Sequence, residues 1–310
     1  MSSSKTAFIV NPNAGNGSTG TKWPFIKTLA ENRLGSFMTH ITAGPGDATV
    51  FAKDAVSKGI FLIVCVGGDG TLNEVVNGLM EHEESFRADL TIGFIPNGTG
   101  CDFIRTVAIP RNINEAIDII AARNVRSIDL GRLVFRDHKG SECRRYFHNI
   151  ASFGLGGEVA QRVNNTTKLF GPFFSFIRAT LISIFLYGKK QIYLKIDNGN
   201  QQMYSIWNVA VANGRYHGGG MLVAPDASVD DGLLNITLIG DLSLAGLFIH
   251  LPKLYNGKIK QVDKVITFTG KRIEVTSDQR VLLDVDGEQP GTLPVVIDVV
   301  PKALNIITAK

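Results

Sequence analysis

Apolar and polar positions are arranged along this chain in two ways, and the change falls near Arg126. Before it, short apolar runs alternate with segments of helical character. Thr6–Val10 predicts a strand that stops at Asn11-Pro12, and the stretch from Trp23 to Leu34 reads as a helix. Phe37–Thr42 predicts a second strand and Asp47–Ser57 a second helix. Ile60–Val66 (IFLIVCV) is continuously apolar, as a strand buried on both faces is. Beyond it Leu72, Val75, Val76 and Leu79 recur at i, i+3, i+4 and i+7, which is one apolar helix face. Thr91–Ile95 predicts another strand, and Ile113, Ala116, Ile117 and Ile120 another amphipathic helix. Strands alternating with helices imply a mostly parallel sheet covered on both faces.

After Arg126 strand signals follow one another: Ile128–Phe135, Tyr146–Phe153, Gln191–Ile196, Ile206–Asn213, Leu233–Ile239, Val265–Thr269, Arg272–Val275 and Val281–Val285. Helices become insertions, at about 156–164, 172–187 and 243–255. Successive strands predict a mainly antiparallel sandwich or barrel-like domain. The expected division is an α/β domain over 1–126 and a β-rich domain over 127–295. The apolar tail Val295–Thr308 either closes the second domain or returns, as residues 296–310, to the first.

Composition narrows the class. A chain of 310 residues has room for about two domains. At 44% apolar and 19% charged it is not a disordered chain. The net charge of +4 is mildly basic, and no Lys/Arg run argues for nucleic acid. Such a charge suits an anionic membrane surface or a phosphorylated ligand. Cys65, Cys101 and Cys143 are odd in number and far apart. That argues against a disulfide framework or a zinc site and for a reducing, cytoplasmic setting. Met1–Thr6 is polar and lacks a signal-peptide core. Leu169–Tyr187 is nearly long enough to span a bilayer, but Arg178 lies near its centre and Gly171-Pro172 interrupts it. A buried or lipid-facing helix is the better reading of that segment.

The 33 glycines exceed the usual ~7% and are clustered. Gly67-Gly68-Asp69-Gly70-Thr71 lies between a buried strand and a helix start, where ligands of open α/β sheets bind. Glycine there lets backbone N–H groups approach phosphate oxygens, and the helix N-terminus adds partial positive charge. The loop lacks the lysine of a Walker A motif and the spacing of a Rossmann fingerprint. Its Asp69 suits a magnesium ion or a substrate hydroxyl better than a direct anion contact; a plain capped turn is the bland alternative. Asn97-Gly98-Thr99-Gly100-Cys101-Asp102 follows a second strand. There Thr99 can donate to a phosphate, and Asp102 can cap a helix or reach the first loop. Asn11–Gly17 is a third loop of the same kind. Three such loops at strand ends describe a nucleotide cleft.

These residues carry a resemblance. Asn11-Pro12 with Gly15 and Trp23 downstream, then GGDGTLNEVVNG, then Pro96-Asn97-Gly98-Thr99 with Asp102-Phe103, look like the diacylglycerol kinase catalytic domain. More closely the chain resembles the soluble bacterial lipid kinases related to sphingosine kinases. The likeness continues through Ala224–Leu234 and Asp286-Gly287-Glu288. One departure is Cys101, where the family usually carries Asn, and a thiol cannot replace the two-sided bonding of an amide. The resemblance implies an NAD kinase/diacylglycerol kinase-like α/β domain and ATP-dependent phosphorylation of a lipid hydroxyl, on diacylglycerol or a related lipid. It implies ATP contacts from Asn11, Thr42, Gly67, Gly68, Asp69, Gly70, Thr71, Leu72, Asn73 and Thr99, and a general base at Glu288. It implies a structural Mg2+ held by the Asp231 carboxylate and the carbonyls of Ser228 and Leu233.

The residues read alone agree in kind. Gly287 permits a sharp turn presenting Glu288, and a hydroxyl nucleophile needs a carboxylate to take its proton. Asp-Gly is also a common hairpin signal with solvated acids. Asp69 is the second acidic candidate, as base partner or magnesium organiser. His217 reads as a loop residue and His148 as a structural one in a strand. The segment 169–187 and the helix near Leu242–Leu254 could wall an acyl-chain site or simply pack the core. The expected partner is a lipid met by transient peripheral contact with a membrane, and a homodimer is left open. Two competing functions are an NAD kinase-like small-molecule kinase, for which GGDGT and Asn73-Glu74 speak, and a non-catalytic nucleotide or lipid sensor.

Overall fold

The computed structural model describes residues 5–82, 89–164, 178, 180 and 182–309. The chain forms two compact units, Met1–Asp129 with Pro301–Lys310, and Leu130–Val300. The strands are β1 (Thr6–Val10), β2 (Met38–Ile41), β3 (Leu62–Gly67), β4 (Thr91–Pro96), β5 (Val125–Arg136), β6 (Glu142–Phe147), β7 (Ile150–Gly154), β8 (Lys190–Ile196) and β9 (Gln202–Ile206). They continue as β10 (Asn208–Ala212), β11 (Tyr216–His217), β12 (Met221–Leu222), β13 (Leu234–Ile239), β14 (Val265–Gly270), β15 (Arg272–Thr276), β16 (Leu283–Val285) and β17 (Thr292–Ile307). The helices are α1 (Ser18–Leu34), α2 (Asp47–Ser57), α3 (Asp69–Leu79), α4 (Phe103–Val107), α5 (Ile113–Ala122), α6 (Leu155–Asn164) and α7 (Leu244–Tyr255).

In the first unit the sheet order is β2-β1-β3-β4-β17, and every pair is parallel. Alternate residues of each strand face opposite sides. Phe8, Val10, Val64 and Val66 pack under Ile26 and Ala30 of α1 and Ala116, Ile117 and Ile120 of α5. The other side is taken by α2 and α3, which pack together and against β1 and β3. Burial on both faces is why β3 reads as an unbroken apolar run. The end of the apolar tail joins this sheet: Asn305 and Ile306 of β17 pair with Thr91 and Ile92.

The second unit is a sandwich of antiparallel strands. One sheet has the order β14-β13-β10-β7-β16, and the other contains β9, β8, β15, β17, β5 and β6. Their facing sides close one core, with Phe147, Phe153, Ile192, Val209, Val211, Ile236, Ile273 and Val285 fully buried. Inward positions recur at i, i+2, as Val209/Val211 and Leu234/Ile236/Leu238 show. The outer face of the β10-bearing sheet is apolar too: Ile150, Ala210 and Ala212 pack under Leu247 and Leu254 of α7.

Several expected elements differ. The strand expected over Tyr146–Phe153 is two strands, broken at His148-Asn149, because the N–H groups of residues 148–150 turn to the carboxylate of Asp286. His148 is thus in a bend, not in a strand. The strand expected over Val281–Val285 begins only at Leu283. α1 begins at Ser18, one turn before the apolar signal at Trp23. The expected helix at about 172–187 falls mostly outside the described residues; residues 182–186 are helical.

Candidate functional site

Each loop of the first unit leaves the carboxyl end of a parallel strand, and the three are tied together. The β1 loop passes through Gly15, Asn16 and Gly17 with φ of 59°, 56° and 82°. Three successive left-handed residues explain the Gly/Asn composition. Asn11 Nδ2 donates to Thr71 Oγ1 at 2.9 Å, joining this loop to the start of α3. Asn97, at the end of β4, donates from Nδ2 to Ser18 Oγ (3.0 Å) and Thr19 Oγ1 (2.8 Å), and accepts from Lys22 Nζ at Oδ1 (3.1 Å).

The β3 and β4 loops touch backbone to backbone. A Cβ on Gly98 would lie 2.5 Å from the Gly68 Cα, and one on Gly15 would lie 2.4 Å from the Asn97 carbonyl oxygen. The Asn97 N–H donates to the Gly67 carbonyl at 2.8 Å. Glycine is therefore required for proximity at 15 and 98, while a Cβ on Gly68 would sit a tight 3.2 Å from the Gly98 Cα. Gly98→Ala is expected to push the two loops apart and weaken ATP binding about tenfold or more, at a cost of about 1–3 kcal/mol. Equilibrium titration with ATP, beside a thermal melt showing an intact fold, checks this.

Asp69 opens α3, and its Oδ2 accepts the Asp102 N–H at 3.1 Å. The link between the loops therefore runs from the Asp69 carboxylate to the Asp102 backbone; the Asp102 side chain makes no cap on α4, although the residue occupies the cap position. The first α3 bond that closes back on the loop is Leu72 N–H to the Gly68 carbonyl, so the N–H groups of Gly70 and Thr71, in the first turn, have no acceptor within the helix. That is the arrangement that binds anions.

Cys101 has φ of 47°, and its Sγ accepts from the Gly98 N–H (3.3 Å) and donates to the Gly67 carbonyl (3.9 Å). Asn is tolerated in such a left-handed position, which accounts for the family's usual residue. Here the thiol bridges the same two loops. Burial, helped by the Asp69 charge, pushes this thiol up to about 12, so it stays protonated.

The other expected contacts occupy varied places. Thr99 is exposed at the tip of the β4 loop. Thr42 and Thr71 are buried, and the Thr42 N–H donates to the Val10 carbonyl. Leu72 lies in the core, and fully buried Asn73 accepts from Asn77 Nδ2 at Oδ1 (3.1 Å). Glu74 Oε2 accepts the Ala48 N–H at 3.1 Å, which caps α2.

In the second unit Asp286 (φ 50°) and Gly287 (φ 91°) form a two-residue hairpin, closed by reciprocal backbone bonds between Val285 and Glu288. The Asp-Gly hairpin reading of the sequence holds for the backbone. Its acids are not alike. Glu288 is exposed, whereas Asp286 is buried. The Asp286 carboxylate accepts from the N–H groups of His148 (3.1 Å), Asn149 (3.2 Å) and Ile150 (2.9 Å), and lies 2.8 Å from His148 Nδ1. Burial alone would raise this carboxyl, but the His148 ring and the backbone donors outweigh it and hold it below the usual range.

Asp284, two residues earlier on the same face, is also buried. Its Oδ1 accepts the Gly287 N–H (2.9 Å), and its Oδ2 lies 3.0 Å from His217 Nε2 and 3.4 Å from Ser152 Oγ. Asn149 Nδ2 donates to the Tyr216 carbonyl at 2.9 Å, tying the 148–150 bend to β11. Two carboxylate–histidine pairs, Asp286–His148 fully buried and Asp284–His217 with a partly exposed ring, therefore brace the turn that presents Glu288. Sequence reasoning singled out Glu288 but missed Asp284, Asp286, His148 and His217 as one network. The available signal was Asp284-Val285-Asp286: acids at period 2 directly after an apolar strand start.

At the third predicted position, Asp231 is exposed, and its Oδ1 accepts the Leu233 N–H at 3.0 Å. Ser228 Oγ donates to Asp230 at 2.7 Å. A carboxylate and nearby carbonyls are hard oxygen donors, a set that suits Mg2+. Among the described residues no group of three His, Cys, Asp or Glu side chains gathers as a metal cluster.

A parallel sheet with glycine-bearing loops at its strand ends, followed by an antiparallel sandwich bearing a braced acidic turn, defines a NAD kinase-like fold. The diacylglycerol kinase catalytic domain matches residues 5–133, and the YegS C-terminal NAD kinase beta sandwich-like domain matches residues 149–308. The chain is 30% identical to a diacylglycerol kinase of Staphylococcus aureus (strain MRSA252) over 94% of its own length and 88% of the relative's. The crystal structure of a putative diacylglycerol kinase from Bacillus anthracis superposes with a TM-score of 0.79 at 27% identity, over 98% of this chain and 95% of that one. Yeast NADH kinase complexed with NADH shares the fold at a TM-score of 0.53 and 14% identity, covering 100% of this chain and 85% of that one. The chain belongs to the diacylglycerol kinase family of lipid kinases.

Proposed function

We propose that the protein transfers the γ-phosphoryl group of ATP to the hydroxyl of diacylglycerol or a related lipid, with Glu288 as general base. The observation that carries this reading is the pairing of an exposed Glu288 with a turn made rigid by Asp284 and Asp286. In this reading the N–H groups of Gly70 and Thr71 and the hydroxyl of Thr99 hold the phosphates, and Asn11 and Thr42 shape the nucleotide site. Asp69 keeps the β3 and β4 loops in register. Glu288 takes the hydroxyl proton as the oxygen attacks phosphorus. Positioning and charge neutralisation supply most of the acceleration in phosphoryl transfer.

Asp231 and the carbonyls of Ser228 and Leu233 are the residues that would hold Mg2+, which would brace the loop before β13 and supply local positive charge. The reaction takes place at the cytoplasmic surface of a bilayer. The deciding experiment incubates the protein with labelled ATP, Mg2+ and total lipid extract and identifies the product by mass. Label in phosphatidic acid or a related phospholipid supports the reading. Absence of labelled lipid, with NADP formed from NAD, would replace it by the small-molecule kinase.

A further inference from the structure

α7 inverts the usual amphipathic rule. Leu247 and Leu254 face the sandwich, yet the opposite side, normally polar, carries Ala245, Ile249, Pro252 and Tyr255, all exposed. Ile249 is 70% exposed and Tyr255 53%. Residues 182–186 lie alongside, with the Phe185 ring 5.6 Å from that of Phe248. Phe185 and Leu186 are 67% and 69% exposed, while Ile184 points into the core. Two helical segments of the same unit thus present one apolar surface. Contiguous apolar exposure of this kind marks a contact surface.

The charge around it is mainly positive. Residues 242–262 contain no Asp or Glu and carry Lys253, Lys258 and Lys260; residues 178–190 contain none and carry Arg178, Lys189 and Lys190. Lys189 is paired with Asp241 and Lys260 with Asp226. Arg178, Lys190, Lys253 and Lys258 have no carboxylate partner among the described residues. No helix among the described residues is long and apolar enough to cross a membrane. An apolar face ringed by unneutralised cations, too short to span, fits the boundary between headgroups and acyl chains of an anionic bilayer.

We propose that α7 and residues 182–186 form the surface by which the protein docks on anionic phospholipid bilayers, with Ile249, Phe185 and Leu186 entering the acyl boundary and Lys253 and Lys258 meeting the headgroups. This deepens the lipid-kinase reading and rests on it only for its purpose. The experiment uses the full chain and sedimentation with phosphatidylglycerol/phosphatidylcholine vesicles and with pure phosphatidylcholine vesicles. Wild type is expected to bind the anionic vesicles at least tenfold more tightly, and raised salt is expected to weaken that binding. Ile249→Asp with Phe185→Asp is expected to lower it at least tenfold, and Lys253→Gln with Lys258→Gln to remove most of its salt dependence. Transfer to monomeric dioctanoylglycerol is expected to stay within twofold in both variants, which shows that they are folded. Equal vesicle binding by wild type and both variants overturns the proposal. So does a wild-type dimer that Ile249→Asp converts to monomer without change in vesicle binding, because the face would then join two copies. If no phosphate reaches dioctanoylglycerol even in wild type, the kinase reading fails; the vesicle results, with folding then read from thermal melts, still decide the docking surface.

Discussion

Glu288→Gln is expected to lower the rate of phosphoryl transfer to lipid by about 10^2–10^4-fold, the range over which a positioned general base contributes. Gln keeps the size and polarity of the side chain but cannot accept the proton. The turn should survive, because its closing bonds are backbone bonds between Val285 and Glu288 and its brace is Asp284 to the Gly287 N–H. ATP binding is expected to stay within about twofold, since the loops proposed to hold the phosphates lie in the first unit. Single-turnover kinetics with labelled ATP, beside equilibrium ATP titration, separates the two quantities. A variant as fast as wild type would move the base elsewhere.

Asp286→Ala is expected to act on stability. Removing this carboxylate leaves three backbone N–H groups and the His148 ring without their acceptor in the core. Each buried donor left without its acceptor costs about 1–3 kcal/mol, and several together are enough to unfold a marginal domain. The cost should depend on pH in a defined direction. The Asp286 carboxyl is held below the usual range in the folded protein. Its contribution is therefore fully present above the unfolded value near 4 and is lost as pH falls through the lowered folded value. The melting temperatures of wild type and Asp286→Asn should differ at pH 7 and converge in strong acid. A gap that stays constant down to pH 2 would assign the stabilisation to shape, not to charge.

The first unit was the more legible half. Its strands are buried on both faces, so IFLIVCV announces β3, and Leu72, Val75, Val76 and Leu79 announce the inner face of α3. The loops were legible because glycine is the residue that permits left-handed turns and backbone contact, and Gly98 against the Gly68 backbone demands the latter. In the second unit, strands such as Gln202–Ile206 sit at a sheet edge with polar residues exposed, and carry little apolar signal. The break at His148-Asn149 was invisible because its cause lies 138 residues away, in Asp286. A buried carboxylate that takes over a strand's hydrogen bonds leaves no local trace. Glu288 could be reached through its motif, whereas its supports are spread over three distant segments that only the tertiary fold joins.

The thiols offer a practical handle. Cys65 and Cys101 are buried, and burial pushes both up from the usual thiol range, so neither is a competent nucleophile at neutral pH. Cys143, on β6, is the one with access to solvent. A maleimide dye should therefore add a single label to the native protein, visible as one mass increment that Cys143→Ser abolishes. The wild-type chain can thus carry a fluorophore at one known point of its second unit, with no cysteine to remove beforehand.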